Sequence, residues 1–303
     1  MDRMRIIICL LSLFSISAIA QQEPHYTQYM YNMSVVNPGY VIDEPGLIQV
    51  GSLYRTQWVG MDGAPKTANV FAHIPLNEKI ELSVNYMNDK IGKVLNENVF
   101  NIDAAYKIKL KNDLNISFGM KIGVDNLRFD FSNTNVSTDP LFQNTNKTVL
   151  GIGAGFFVFK EQYYIGLSSP NFFPADLTVD SDALYKTQPH LFLIGGYVFN
   201  MNDNIKLKPS AVVKQTFGAP LTFDVSANAM FNDVFEIGVS YRYQDAIAGL
   251  AGFNITPSLK IGYAYDFNTS QLNDFNNGSH EFVLLYTFDI LGLSKKYSSP
   301  RFY

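Results

Sequence analysis

From Leu114 to Asp125 large apolar and small or polar side chains take strict turns. Leu114, Ile116, Phe118, Met120, Ile122 and Val124 fall on one side of an extended chain, and Asn115, Ser117, Gly119, Lys121, Gly123 and Asp125 on the other. Successive side chains of a strand point to opposite faces, so a period of two marks a β-strand whose faces meet unlike surroundings. The pattern returns at 205–217, where Ile205, Leu207, Ala211, Val213 and Phe217 oppose Lys206, Lys208, Ser210, Lys214 and Thr216. In all, fourteen segments read as strands: 47–57, 66–76, 79–89, 96–109, 113–128, 146–159, 162–168, 190–200, 204–217, 219–230, 234–244, 246–255, 258–267 and 280–289. Most run about 10 residues or more, the length of a tilted strand that crosses an outer membrane. Strands of soluble sandwiches cluster near about 5–6 residues.

The connections alternate in length too. Asn77-Glu78, Lys111-Asn112, Glu161, Met201-Asn202-Asp203, Asn232-Asp233 and Thr256-Pro257 are tight, whereas 58–65, 90–95, 129–145, 169–189 and 268–279 are longer. Those near 218 and 245 are short although they fall on the long-loop rim, which predicts a low wall there. Tyr and Phe gather at strand ends, as at Tyr106, Tyr197, Phe199, Phe217, Tyr241, Tyr243, Phe267, Tyr286 and Phe288, with Lys208, Lys214, Asp224, Arg242, Lys260 and Asp266 on the opposite face. An apolar exterior with aromatic ends and a charged interior is how a barrel meets lipid. The expected fold is therefore all-β, an outer-membrane β-barrel of about fourteen antiparallel strands, with short periplasmic turns, longer extracellular loops, and N- and C-termini in the periplasm.

A formal charge of −4 and only 17% charged residues argue against a nucleic-acid binder. Arg3 and Arg5, the apolar run Ile6 to Phe14 and Ala18-Ile19-Ala20 read as a secretory signal peptide over 1–20. Cys9, the sole cysteine, lies inside that run, so the exported chain has no disulfide. The remainder divides into a lead-in over 21–46, the barrel over 47–289 and a tail over 290–303. The lead-in, with Tyr26, Tyr29, Tyr31 and Tyr40 among Asn and Pro, is expected to pack in or under the barrel.

Two stretches fall outside the alternation. One contains Gln28-Tyr29 and Asn37-Pro38-Gly39-Tyr40; the other runs Tyr54-Arg55-Thr56-Gln57-Trp58-Val59-Gly60-Met61-Asp62-Gly63-Ala64-Pro65. With Asn88-Asp89-Lys90-Ile91-Gly92 and Gly166-Leu167-Ser168, they resemble the signature of the PorP/SprF family, outer-membrane proteins of type IX secretion and gliding in Bacteroidota. Gly39 stands where that family usually carries alanine. The resemblance implies a barrel without enzymatic activity that binds, retains or helps export a cognate secreted adhesin, or another protein with a type IX C-terminal sorting domain. It also implies contacts with outer-membrane lipid, a periplasmic peptidoglycan-binding lipoprotein and the secretion ring components. The block Tyr54, Arg55, Gln57, Trp58, Gly60, Asp62, Gly63 and Pro65 is the candidate partner surface, and Gln28, Tyr29, Asn37, Pro38 and Tyr40 form the N-terminal family motif. Trp58 reads as an interface anchor or a docking side chain. Arg55, pointing into the lumen, reads as paired with Asp62 or a carboxylate of a neighbouring strand, or as touching the partner.

No catalytic or cofactor-binding constellation emerges. Gly151-Ile152-Gly153-Ala154-Gly155 lacks phosphate-loop spacing and reads as a stripe of small residues, and His25, His73, His190 and His280 lack metal-ligand spacing. The lysines at 206, 208 and 214 read as lumen charges neutralised by Asp224 and Glu236. Two other functions fit the same chain: an outer-membrane channel or porin for small solutes, and a structural component of the secretion machine linked to peptidoglycan.

Overall fold

The computed structural model describes residues 26–132, 134, 143–173, 176–179, 182–186, 188–270 and 274–290. The expected signal peptide and most of the tail lie outside them. Period-two patterning becomes strands β1 (Leu47–Thr56), β2 (Lys66–Pro75), β3 (Ile80–Ile91), β4 (Leu95–Lys109), β5 (Asn115–Phe129), β6 (Thr145–Phe159) and β7 (Tyr163–Ser169). A separate two-stranded ribbon follows, β8 (Asp176–Val179) with β9 (Asp182–Lys186). The wall resumes with β10 (His190–Tyr197), β11 (Phe199–Asn202), β12 (Ile205–Thr216), β13 (Thr222–Phe231), β14 (Phe235–Arg242), β15 (Ala246–Thr256), β16 (Leu259–Asn268) and β17 (Ser279–Asp289).

Neighbours in sequence pair antiparallel around the ring. β17 returns to β1 with Leu47 opposite Asp289, and β10 joins β7 to β12, so the sheet closes. β10 and β11 are one strand interrupted at Val198, which makes fourteen positions in the wall. Closure leaves no open edge for the ring as a whole, the condition for strands in lipid. Among the described residues no helix is long and apolar enough to cross a membrane.

The two faces have exchanged their usual roles. Phe118, Met120, Ile122, Leu150 and Phe282 point outward and are more than half exposed, while Lys208, Glu236 and Glu281 point inward and are almost completely covered. In water such an arrangement would be costly, and in lipid it is the expected one. One rim carries the tight turns 76–79, 110–114, 160–162, 203–204, 232–234 and 257–258. The other carries 57–65, 130–144, 170–189 and 269–278, together with three short connections, 92–94, 217–221 and 243–245. The connection expected to be long at 90–95 is a tight turn instead, because β3 and β4 stay paired out to Ile91 and Leu95. The wall is therefore tall over β3–β6 and low over β12–β15.

What fills the ring is residues 26–46. Tyr26, Met30, Met33, Tyr40 and Val41 form one buried cluster with inward-facing Phe71, Phe157, Ile194 and Leu285 of the wall. Two short 3-10 turns, Tyr29–Tyr31 and Met33–Val35, let the segment fold back on itself within the lumen.

Candidate functional site

The lead-in descends through the barrel. Tyr26 stands on the long-connection side, near Lys214, Asp224 and Asn171, while Asp43 meets Lys107 and Gly46 accepts from Ile290 N–H at the short-turn rim. The strand count places Leu47 and Asp289 on one rim, as expected. It did not foresee that the lead-in climbs back toward the opposite rim, so Tyr26 lies apart from the wall's two ends. Residues before Tyr26 lie outside the described ones.

On one flank the lead-in is held by charge. Arg55 on β1 reaches Asp266 at 2.7 Å and Glu281 at 3.1 Å, and Arg242 reaches Asp224 at 3.1 Å and Asp266 at 3.7 Å. Thr27 sits among them: its hydroxyl donates to Asp266 at 2.7 Å and accepts from Arg55 at 3.1 Å. The backbone N–H groups of Thr27 and Gln28 both donate to the Glu281 carboxylate, at 2.9 and 2.7 Å, and the Gln28 amide donates to the Glu281 carbonyl. Nearer the short rim Tyr31 donates to Glu236 at 2.9 Å, as do Asn228 at 2.6 Å and Lys260 at 2.7 Å. Buried charges are tolerated only when paired and hydrogen-bonded, and here the plug backbone completes the set.

The opposite flank packs closely because glycines of the wall make room for the lead-in. A methyl group at Gly119 would run into the Pro38 carbonyl, and one at Gly155 or Gly166 into the Asn37 side chain. Asn37 donates to the Phe156 carbonyl at 3.1 Å, Ser168 to the Val36 carbonyl at 2.6 Å, Lys121 to the Ser34 carbonyl at 3.0 Å, and Ser117 to the Gly39 carbonyl. A Cβ at Gly39 would come within 2.9 Å of the Gly155 carbonyl oxygen, so the residue that departs from the family pattern is one the packing favours. Tyr40 meets His73 and Phe157 edge-on, at 5.4 and 5.7 Å between ring centres.

All of the N-terminal motif thus lies in the lumen: Gln28, Tyr29 (which donates to Ser210 at 3.3 Å), Asn37, Pro38 and Tyr40. The second block is spread over three places. Tyr54 faces outward, Arg55 faces the plug, and Gln57, Trp58, Gly60, Asp62, Gly63 and Pro65 form the first long connection. Arg55 takes its carboxylates from β16 and β17, and Asp62 pairs instead with Lys93 at 3.4 Å, both exposed. The loop is stitched to both neighbours. Trp58 N–H donates to Ser279, Val59 exchanges bonds with Gly278 and Asn277, and Gly92 N–H donates to the Gly63 carbonyl at 2.9 Å. Gly60 and Gly63 have φ of 100° and 78°, which glycine adopts without strain. At the neighbouring rim of β5 the Ser132 hydroxyl and N–H beside Asp130 hold its carboxyl below the usual range.

Asp266, Glu281 and Glu236, which seat the plug, were not singled out as site residues. Their signal was the inward face of alternating strands, which says that a charge is enclosed and not what it meets. The lysines follow expectation in part: Lys208 is enclosed with Glu236 and its charge acts on that carboxylate, but Lys206 pairs with Asp233 in a turn, Glu236 also pairs with Lys260, and Asp224 pairs with Arg242. The glycines of 151–155 make room, Gly153 for the Pro170 carbonyl and Gly155 for Asn37. Among the described residues no group of His, Cys, Asp and Glu is placed to hold a metal.

Solved structures resemble this fold at low identity. The Ralstonia pickettii toluene transporter TbuX superposes with a TM-score of 0.51 at 11% identity, over 86% of this chain and 92% of its own. The CymD monoaromatic hydrocarbon channel gives 0.52 at 11%, over 90% and 95%. A Pseudomonas aeruginosa FadL homologue gives 0.49 at 12%, over 88% and 95%. At such identities the likeness is one of fold. No curated protein matches the chain in sequence. The family model for the type IX secretion system membrane protein PorP/SprF matches residues 18–286, nearly the whole chain, and with the plugged outer-membrane barrel around that signature the protein belongs to the PorP/SprF family.

Proposed function

We propose that this barrel is a plugged outer-membrane anchor that holds a cognate secreted protein, an adhesin or another protein with a type IX C-terminal sorting domain, at the cell surface. The observation that carries this reading is the lumen occupied from Tyr26 to Gly46 and locked by paired charges, which suits a scaffold better than a conduit. The long-connection rim faces outward, since outer-membrane barrels carry their long loops on that side. The stitched loop 57–65, with Trp58, Gly60, Asp62, Gly63 and Pro65, is the first docking surface, because binding residues concentrate on loops held by rigid scaffolds. Arg55 and the motif Gln28, Tyr29, Asn37, Pro38 and Tyr40 act from inside by holding the plug.

Affinity capture of the tagged protein from gently solubilised outer membranes recovers one large secreted chain with a C-terminal sorting domain. A deletion strain makes that client and fails to display it. Recovery of the barrel alone, with single-channel conductance in planar bilayers, replaces this reading with a solute channel. A secretion defect spread over many clients replaces it with a structural part of the machine, reached through a periplasmic peptidoglycan-binding lipoprotein and ring components.

A further inference from the structure

The outward face of β3 to β6 passes from apolar to polar in the same order on every strand, and β2 does so one step later. Val70, Tyr86, Phe100, Val124 and Leu150 are opposite one another across the strands and complete the apolar band. Toward the long rim the next outward residues are Ala68, Asn88, Asn98, Asn126 and Thr148. These amides are joined: Asn88 donates to Asn98 at 2.9 Å, and Asn126 donates to Thr148 at 3.0 Å. The outward residues after those are Lys66, Lys90, Asn96, Arg128 and Asn146, again directly opposite one another.

Lys66 and Lys90 are exposed and face each other across adjacent strands, a placement that repels. Among the described residues neither forms an ion pair with a carboxylate, and the acids nearest in the chain are turned elsewhere. Asp89 and Glu97 point inward and Asp62 meets Lys93, while Arg128 has a loose partner in Asp130 at 3.7 Å and keeps most of its side chain open to solvent. Cations of the short rim are differently placed: Lys79 follows Glu78, and Lys109 pairs with Asp113 at 3.2 Å.

A row of cations and amides directly above an apolar band fits a molecule with acyl chains below and phosphorylated sugar above. Guanidinium and ammonium groups take the phosphates, and the amides hydrogen-bond the sugar hydroxyls. We propose that this face holds a phosphorylated glycolipid of the outer leaflet, with its phosphates between Lys66, Lys90 and Arg128 and its sugar along Asn88, Asn98 and Asn126. The site adjoins the membrane face already described and is independent of whether a secreted client binds; it requires only that the long rim faces outward.

The test uses the full-length protein in mild detergent with diphosphorylated lipid A, its dephosphorylated form and phosphatidylglycerol as probes, read by native mass spectrometry. The protein prefers lipid A over the dephosphorylated form by about tenfold or more, the scale expected for several surface cations near anionic headgroups. The triple variant K66Q/K90Q/R128Q loses that preference, and the short-rim variant K79Q/K109Q/K111Q keeps it. The single variant K66Q relieves the repulsion, so it weakens lipid A binding while folding at least as well, a pairing that a purely structural lysine would not give. An unchanged preference in the triple variant, an equal loss in the short-rim variant, or equal binding of phosphatidylglycerol overturns the proposal.

Discussion

One plug is held by two unlike walls. Along β1, β14, β16 and β17 the contact is ionic, with Arg55, Arg242, Asp266 and Glu281 closing on Thr27 and Gln28. Along β5, β6 and β7 it is steric, with the plug backbone at Pro38 and Gly39 lying against Gly119 and Gly155 and the Asn37 side chain against Gly155 and Gly166. The ionic wall places the plug through side chains that want one another in a covered site. The glycine wall places it by leaving no room for anything else. The two together explain how so short a segment is held inside the ring.

Breaking the ionic wall has the largest effect. In R55M the Asp266 and Glu281 carboxylates lose their common partner while remaining enclosed, and removing one member of a buried pair costs about 3–5 kcal/mol. The expected outcome is a lower urea midpoint, followed by the fluorescence of Trp58, the sole tryptophan, and faster amide exchange over 27–42. An unchanged midpoint would show that the glycine wall alone seats the plug. Next is the steric wall. G119V drives a branched side chain at the Pro38 carbonyl, and overpacking of that kind costs about 1–3 kcal/mol. Its control is G249A, where an added methyl meets nothing, and the unfolding free energy stays within about 0.5 kcal/mol of the parent. If both glycine variants behave alike, shape has no part in seating the plug.

Much of this barrel was legible because a membrane writes its demands on every second residue. Strands such as 113–128 and 204–217 announced their outward faces and, to within two residues, their ends, and the low wall near 218 and 245 followed from short connections. The plug's contacts were not legible in the same way. Thr27 meets Asp266 and Glu281 more than two hundred residues away, and nothing local in either stretch marks the match. Arg55 shows the limit well: its inward direction followed from alternation, but its partners depended on ring closure bringing β17 beside β1. The extension of β3 past 89 to Ile91, and of β4 back to Leu95, was hidden because polar Lys90 and Gly92-Lys93 read as one connection over 90–95, whereas the chain turns within 92–94.

A milder change sharpens the ionic side. Y31F removes one of three donors to Glu236 while Lys260 at 2.7 Å and Asn228 at 2.6 Å remain. A single hydrogen bond lost from a carboxylate that keeps its other partners is worth about 1 kcal/mol. The unfolding free energy should fall by that amount and the exchange at Thr27 should not change. If exchange there rises as in R55M, the two ionic groups act as one unit along the wall.

The smallest effect on stability is expected at the rim, where it says most about function. Asp62 and Lys93 are both largely exposed and 3.4 Å apart, and such pairs contribute about 0–1 kcal/mol. D62A should therefore leave the urea midpoint and plug exchange where they are, since the loop keeps its backbone ties to Gly92, Gly278 and Ser279. If the loop 57–65 is the docking surface, the same variant weakens recovery of the secreted client in affinity capture, whereas R55M weakens it only as far as it loosens the plug. Unimpaired capture by D62A together with loss in R55M would move the docking surface off this loop and onto whatever the seated plug presents at the mouth of the barrel.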